Sequence, residues 1–372
     1  MSRARNYNIP LDGKPGKNNA ITDVPGVQVG YTTLTSGGAK TGVTAILPRG
    51  KNGVGRACTA ATFSFNGNGE LTGRSMIDEA GVLALPILIT NSHSVGAVHR
   101  ACDLWVAKHY PKVAAQWMLP VVGETWDGYL NEINGDHVKE EHVMSALDGA
   151  SGGPLAEGNV GGGTGMNCYS FKGGSGTSSR EVPFGSKTFT VGCLLQANFG
   201  RRNEFKVAGI PLGKNSKAPN LMGTTDWFER EAEGLPKVPE GSGSIIVVVA
   251  TDAPMLPGQL QALCRRVPLG LARTGTCGGH FSGDIFVAFS TADSAQSIAS
   301  RMPYGPAKDE DLQTIQFVPW GHIDMFYEAV VECVEEAVLN ALVAAEDLEG
   351  RDGHKSFALP KEELEGAFGK RD

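Results

Sequence analysis

Ser244 follows Gly243 and opens the apolar run Ile245-Ile246-Val247-Val248-Val249-Ala250-Thr251. If the Gly243–Ser244 bond were cut, Ser244 would carry both a nucleophilic hydroxyl and a free α-amine. An α-amine has a reference pKa near about 8, so part of it is unprotonated at neutral pH and can act as a base. Nucleophile and base would then share one residue, the N-terminal-nucleophile arrangement, which needs no separate histidine. A Gly-Ser pair before an apolar strand is also ordinary turn chemistry. The distinction has to come from other residues.

Ser282 and Asp284 stand two apart at the mouth of a strand-like segment, so their side chains project to one face. A carboxylate beside a hydroxyl can accept and orient the proton of a nearby ammonium or hydroxyl, although a polar strand end at the surface looks the same. Asn198 ends an apolar strand. Its amide could donate to a developing oxyanion or simply cap a turn. Glu124, at the end of another strand-like stretch, could bind a substrate ammonium or be solvated. Other patterns fail on context. Gly149-Ala150-Ser151-Gly152-Gly153 matches GxSxG, but a helical segment precedes it where a nucleophile elbow needs a strand. The glycines from Gly161 to Gly165 lack the Gly-Lys-Ser/Thr ending of a phosphate loop. His137 and His142 do not share a helical face well enough for a metal pair, and Ser92-His93-Ser94 are local neighbours of the kind that rarely forms a triad.

These residues need a scaffold, and the composition allows one. The chain has 372 residues, 41% hydrophobic and 20% charged, as in a globular protein. A net charge of −7 argues against nucleic acid or an anionic membrane as main partner. Seven widely spaced cysteines without a CxxC pair suggest buried free thiols in a reducing compartment. No signal-like or membrane-length apolar run appears, and a cytoplasmic protein is expected. Glycine, at 50 residues, is nearly double its usual share of about 7% and is spread along the chain, as in a fold with many tight turns.

Residues 27–31 and 42–47 read as strands. Residues 80–90 lead through a strand into a polar turn and then a helix carrying Val98, Ala101, Leu104, Trp105 and His109. Residues 137–148 read as a short helix, 149–176 as a glycine-rich stretch, 187–197 as a strand and 214–243 as an exposed connector. After the strand from Ser244, a single helix is expected from Asp252 through Leu260, Leu263, Val267 and Leu271. A strand at 284–291 and a helix of about seven turns at 323–348, striped by Phe326, Val330, Cys333, Ala337 and Ala341, complete a layered α/β pattern.

Together, residues 243–257, Asp23-Val24-Pro25-Gly26-Val27, Glu124-Thr125-Trp126-Asp127-Gly128, residues 158–166, Gln196-Ala197-Asn198-Phe199-Gly200-Arg201-Arg202 and Gly270-Leu271-Ala272-Arg273-Thr274-Gly275 resemble the family of L-aminopeptidase/D-esterases and β-aminopeptidases, self-processing N-terminal-serine peptidases. The resemblance covers most of the chain. It implies a four-layer αββα sandwich forming one catalytic domain over residues 1–372, cut at Gly243–Ser244 into chains 1–243 and 244–372. It implies Ser244 as nucleophile, Ser282 and Asp284 as its partners and Asn198 as oxyanion donor. Glu124 falls on a carboxylate thought to hold the substrate's amino group, and Trp126 on a variable substrate-contacting position. The family carboxylate at 284 is a glutamate, one methylene longer than the aspartate here. No metal or organic cofactor is expected; the partners are a small peptide, amide or ester substrate and further copies in a homotetramer. An ornithine-acetyltransferase-like acyltransferase, whose nucleophile would be threonine, and an uncleaved non-catalytic homologue are the alternatives.

Overall fold

The computed structural model describes residues 2–223, 243–293 and 305–371. Its strands are β1 (Gln28–Leu34), β2 (Thr41–Leu47), β3 (Cys58–Ser64), β4 (Val82–Leu83), β5 (Ile87–Asn91), β6 (Val121–Thr125), β7 (Asn167–Cys168), β8 (Phe171–Lys172), β9 (Gly174–Phe184), β10 (Lys187–Asn198), β11 (Gly243–Thr251) and β12 (Ser282–Ser290). Two sheets hold most of them, one ordered β1-β2-β5-β6 and the other β4-β3-β12-β11-β10-β9. Within these, β5–β6 and β11–β12 are parallel pairs.

The layering follows from side-chain alternation along β11, whose nine positions are all buried. Ile246, Val248 and Ala250 face the four-stranded sheet and pack with Ile46, Ile87, Ile89 and Val121. Ile245, Val247 and Val249 face the other way, toward Leu260, Leu263 and the helix Asp324–Ala344. The outer side of the four-stranded sheet carries Val43, Ala45, Leu88 and Val122 against the helices Val95–His109 and Glu140–Asp148. Helix, sheet, sheet, helix is the αββα order. A strand with an apolar side chain at every position can exist only between two such layers.

Several elements differ from the sequence reading. The expected single helix from Asp252 is two, Pro257–Cys264 and Val267–Arg273, with a turn over 252–256 before them. Pro268 has no N–H for the carbonyl of Cys264 and its ring would clash there, so the first helix stops. Pro257 takes the first helical position, where a missing N–H costs nothing. The strand at 284–291 runs Ser282–Ser290, and the long helix ends at Ala344. The glycine-rich stretch 149–176 ends in the start of β9, and β3 is a further strand. β9 is built of small residues because the long helix crosses it closely: a Cβ on Gly176 would lie 2.0 Å from the Ala337 carbonyl oxygen. Of the connector, residues 224–242 lie outside the described residues. Six cysteines are buried and free, but Cys277 is exposed.

Candidate active site

β10 runs antiparallel to β11, and β11 runs parallel to β12, so the last residue of β10 meets the first residues of the other two. The register pairs Asn198 with Ser244 and Ser244 with Gly283. Three chain segments far apart in sequence thereby deliver their polar ends to one edge of an otherwise apolar sheet. Ser244, Asn198, Ser282 and Asp284 are all buried there, none more than 6% exposed.

The Ser244 hydroxyl donates to the carbonyl oxygen of Gly243 at 2.6 Å and accepts the N–H of Gly283 at 3.2 Å. The Ser244 oxygen therefore lies against the carbonyl of the peptide bond that self-cleavage would cut. Gly243 has no room for a side chain, since a Cβ would fall 2.0 Å from the carbonyl oxygen of Asn198. This close approach explains the glycine at the junction.

Ser282 donates to Asp284 Oδ1 at 2.5 Å, as the two-residue spacing predicts. Burial pushes the Asp284 carboxyl above the ordinary carboxylate range; hydrogen bonds from Ser282, Asn66 and the main chain of Ile245 pull it partly back. The contact with Ile245, which follows Ser244, sets the carboxylate one residue from the Ser244 nitrogen. That nitrogen becomes an amine only if the chain is cut.

Asn198 Nδ2 donates to the carbonyl of Trp126 at 2.9 Å, and its Oδ1 accepts the N–H of Asn167 at 2.8 Å. The amide is thus locked with oxygen and nitrogen assigned, and its second N–H has no acceptor among the described residues. Trp126 enters the arrangement through its carbonyl, while its half-buried ring packs over Gly128.

Glu124 comes from β6 in the other sheet. Its Oε1 accepts the N–H of Glu70 at 2.9 Å, and its Oε2 accepts the Ser92 hydroxyl. Burial raises its carboxyl above the usual range, against the lowering effect of those two hydrogen bonds. Gly69 lies between it and β12: a Cβ there would touch Gly283 Cα at 3.0 Å and Glu124 Oε1 at 3.2 Å.

The sequence reading did not single out Asn66, Glu70 or Asn167. Asn66 and Glu70 lie in Asn66-Gly67-Asn68-Gly69-Glu70, which reads only as a turn; Asn167 acts through its backbone, which no side-chain pattern reveals. The sequence offers Ser92 only as a neighbour of His93; the structure gives its hydroxyl to Glu124, while His93 Nδ1 pairs with Asn134 at 2.8 Å. Ser151 follows the helix Glu140–Asp148 and is exposed, not on an elbow. His142 accepts the N–H of Lys139 at 3.0 Å, and no cluster able to hold a metal ion occurs among the described residues. Nor is any described helix long and apolar enough to cross a membrane.

Residues 19–356 match peptidase family S58. The chain is 45% identical to the beta-peptidyl aminopeptidase BapA of Sphingosinicella microcystinivorans over 99% of its length and 92% of the relative's. It is 42% identical to the enzyme of that name from Sphingosinicella xenopeptidilytica over 97% and 90% of the two chains. The fold is similar to that of the L-aminopeptidase D-Ala-esterase/amidase of Ochrobactrum anthropi, described as a variant of the Ntn hydrolase fold, with a TM-score of 0.86, 41% identity and 98% of each chain covered. A Burkholderia sp. β-aminopeptidase matches over 100% of both chains with a TM-score of 0.83 and 41% identity. The polar edge of the sheet, the αββα layers and these likenesses agree: the chain belongs to peptidase family S58.

Proposed function

We propose that this member of family S58 is a self-processing serine aminopeptidase that removes the N-terminal residue from short peptides, amides or esters through an acyl-enzyme on Ser244. The observation that carries the reading is the register at one sheet edge, which stacks Asn198, Ser244 and the Ser282–Asp284 pair in neighbouring strands. In the uncut chain the Ser244 hydroxyl attacks the Gly243 carbonyl, transferring the acyl group from nitrogen to oxygen, and water releases residues 1–243. The freed amine becomes the base of the mature site.

In turnover, Ser244 Oγ forms a bond to the substrate carbonyl carbon and its proton passes to the α-amine. The second N–H of the Asn198 amide supports the oxyanion, an effect worth about 3 kcal/mol for one such donor. The ammonium, oriented by Asp284 and Ser282, hands the proton to the leaving amine; water, deprotonated by the same amine, then cleaves the ester. Glu124 holds the substrate's ammonium, and Trp126 bounds the space for its side chain. The relatives' names favour β-amino-acid substrates, beside L- and D-α-amino acid derivatives. The reading includes a cytoplasmic homotetramer of cut protomers, which sedimentation velocity tests.

Intact mass spectrometry of the wild type beside Ser244→Ala decides the matter. The wild type should yield a fragment whose first residue is Ser244, and the variant should stay whole and inactive. A wild type that never cleaves, or a fragment beginning elsewhere, overturns the mechanism. Amides of L-α-, D-α- and β-amino acids then rank the substrates.

A further inference from the structure

The loop after β3 lies across the mouth of β12 and is latched to it. Phe65 N–H donates to the Asp284 carbonyl at 2.9 Å and Asn68 N–H to the Ser282 carbonyl at 3.2 Å. The Asn68 side chain donates to the carbonyl of Phe281 at 2.9 Å. Between these contacts sits Asn66. Its Oδ1 accepts the N–H of Asp284 at 2.6 Å, and its Nδ2 donates to Asp284 Oδ2 at 2.9 Å and to the Gly279 carbonyl at 3.1 Å. The main-chain donor on Asp284 fixes which end of the amide is oxygen, so the nitrogen must face the carboxylate.

We propose that Asn66 is a positioning residue for the reaction, holding the Asp284 carboxylate as an acceptor aimed at Ser282 and the Ser244 nitrogen. The proposal rests on the reading of Ser244 as nucleophile. With Asn66 on Oδ2, Ser282 on Oδ1 and the Ile245 main chain as a third contact, the carboxyl meets only donors. Such surroundings suit the ionised form and disfavour a protonated one that would need an acceptor of its own. The short aspartate side chain has few rotamers. Pinned at its backbone N–H and its outer oxygen by one amide, it keeps the inner oxygen on Ser282.

Asn66→Asp is the informative variant. It keeps the shape and the acceptor for Asp284 N–H but turns an oxygen toward Asp284 Oδ2. The other ionisable groups at this edge among the described residues are the Ser244 amine from β11, His280 in the segment that Asn66 and Asn68 hold and, across Gly69, Glu124 of β6 and Glu70 of the loop. None of them is altered chemically, and the added negative charge raises the pKa of the Ser244 amine in the same direction as that of Asp284. The expected result on cleaved enzyme is a kcat lowered about 10- to 100-fold, KM within about twofold, and the acidic limb of kcat/KM moved to higher pH by about one unit. The melting temperature should stay near that of wild type. Asn66→Ala, which deletes the donor without adding charge, should move the limb the same way by less. Where a variant accumulates uncut, its cleavage rate is the readout and should fall similarly.

A wild-type kcat and pH profile in both variants overturns the proposal. So does a loss of activity that follows a lowered melting temperature with the acidic limb in place, since that is a structural role alone. The parent reading fails separately, through an active Ser244→Ala. If that variant is dead and the Asn66 variants behave as wild type, only the role of Asn66 falls.

Discussion

At the scale of single residues, the site depends as much on absent side chains as on present ones. Gly243 approaches the Asn198 carbonyl oxygen so closely that any Cβ must push β10 and β11 apart. Gly243→Ala is therefore expected to slow the proposed self-cleavage by at least about tenfold, since small misplacements of a reacting carbonyl are costly. A time course of chain cleavage on denaturing gels measures it, and wild-type kinetics would contradict the geometry. The raised Asp284 and Glu124 carboxyls bear on pH. A carboxylate whose pKa is raised takes up its proton at a higher pH than usual, so beneath the fall set by protonation of the Ser244 amine, loss of these two carboxylates adds a second fall above the ordinary carboxylate range. Glu124→Gln should raise KM more than it lowers kcat, because its proposed task is to hold the substrate's ammonium.

At the scale of elements, the loop after β3 and the start of β12 behave as one unit. A Cβ on Gly283 would lie 2.3 Å from the Asn68 carbonyl oxygen and 2.7 Å from Gly69 Cα. Gly283→Ala should thus lift the loop and Asn66 with it, lowering kcat more than stability; kinetics beside thermal melting would show the split. Sequence patterns expose elements whose chemistry is local. The β11 run was plain from the five consecutive β-branched residues Ile245 to Val249, and the Ser282–Asp284 pair from a two-residue period. β9 was hidden because its Gly-Ser-Gly-Thr-Ser-Ser start has the composition of a loop. Those residues are small to admit a helix more than a hundred positions away, with Ser178 donating to the Cys333 carbonyl at 2.6 Å. Asn66 was hidden for a related reason. An Asn-Gly pair announces a turn, and nothing in the turn says which strand end the amide will meet. The break before Val267 was legible in Pro268 but was masked by leucines at helical spacing on both sides.

At the scale of the whole molecule, a buried ionic cluster joins distant parts. Glu336, on the long helix, accepts from Arg5 at 2.9 Å, Asn19 at 2.5 Å and Arg180 of β9 at 2.8 Å. Burial alone would raise the Glu336 carboxyl, but Arg180 and Arg5 outweigh it and hold the group below its usual value. A depressed carboxylate stabilises the folded state above its unfolded pKa, and that stability drains away as the pH falls through the folded pKa. Glu336→Ala should cost about 3 kcal/mol, because the buried Arg180 loses its shorter ion pair and keeps only Glu332, at 3.2 Å. Urea denaturation at neutral pH measures the loss, and a change under about 1 kcal/mol would show the cluster to be ornamental.

The order β4-β3-β12-β11-β10-β9 has one more consequence. β11 and β12 lie in the middle of the six-stranded sheet, with strands from before residue 243 on both sides. Were the chain cut before Ser244, the two pieces would be interleaved like clasped fingers, and neither could leave without tearing ladders on both flanks. The cut enzyme would then be durable mainly through slow unfolding. Once denatured, it would have to reassemble from two separate molecules, a second-order event whose yield falls with dilution. The uncut precursor would refold by a first-order path. Maturation at this bond would turn a protein that can find its fold again into one that holds it only as long as it is never lost.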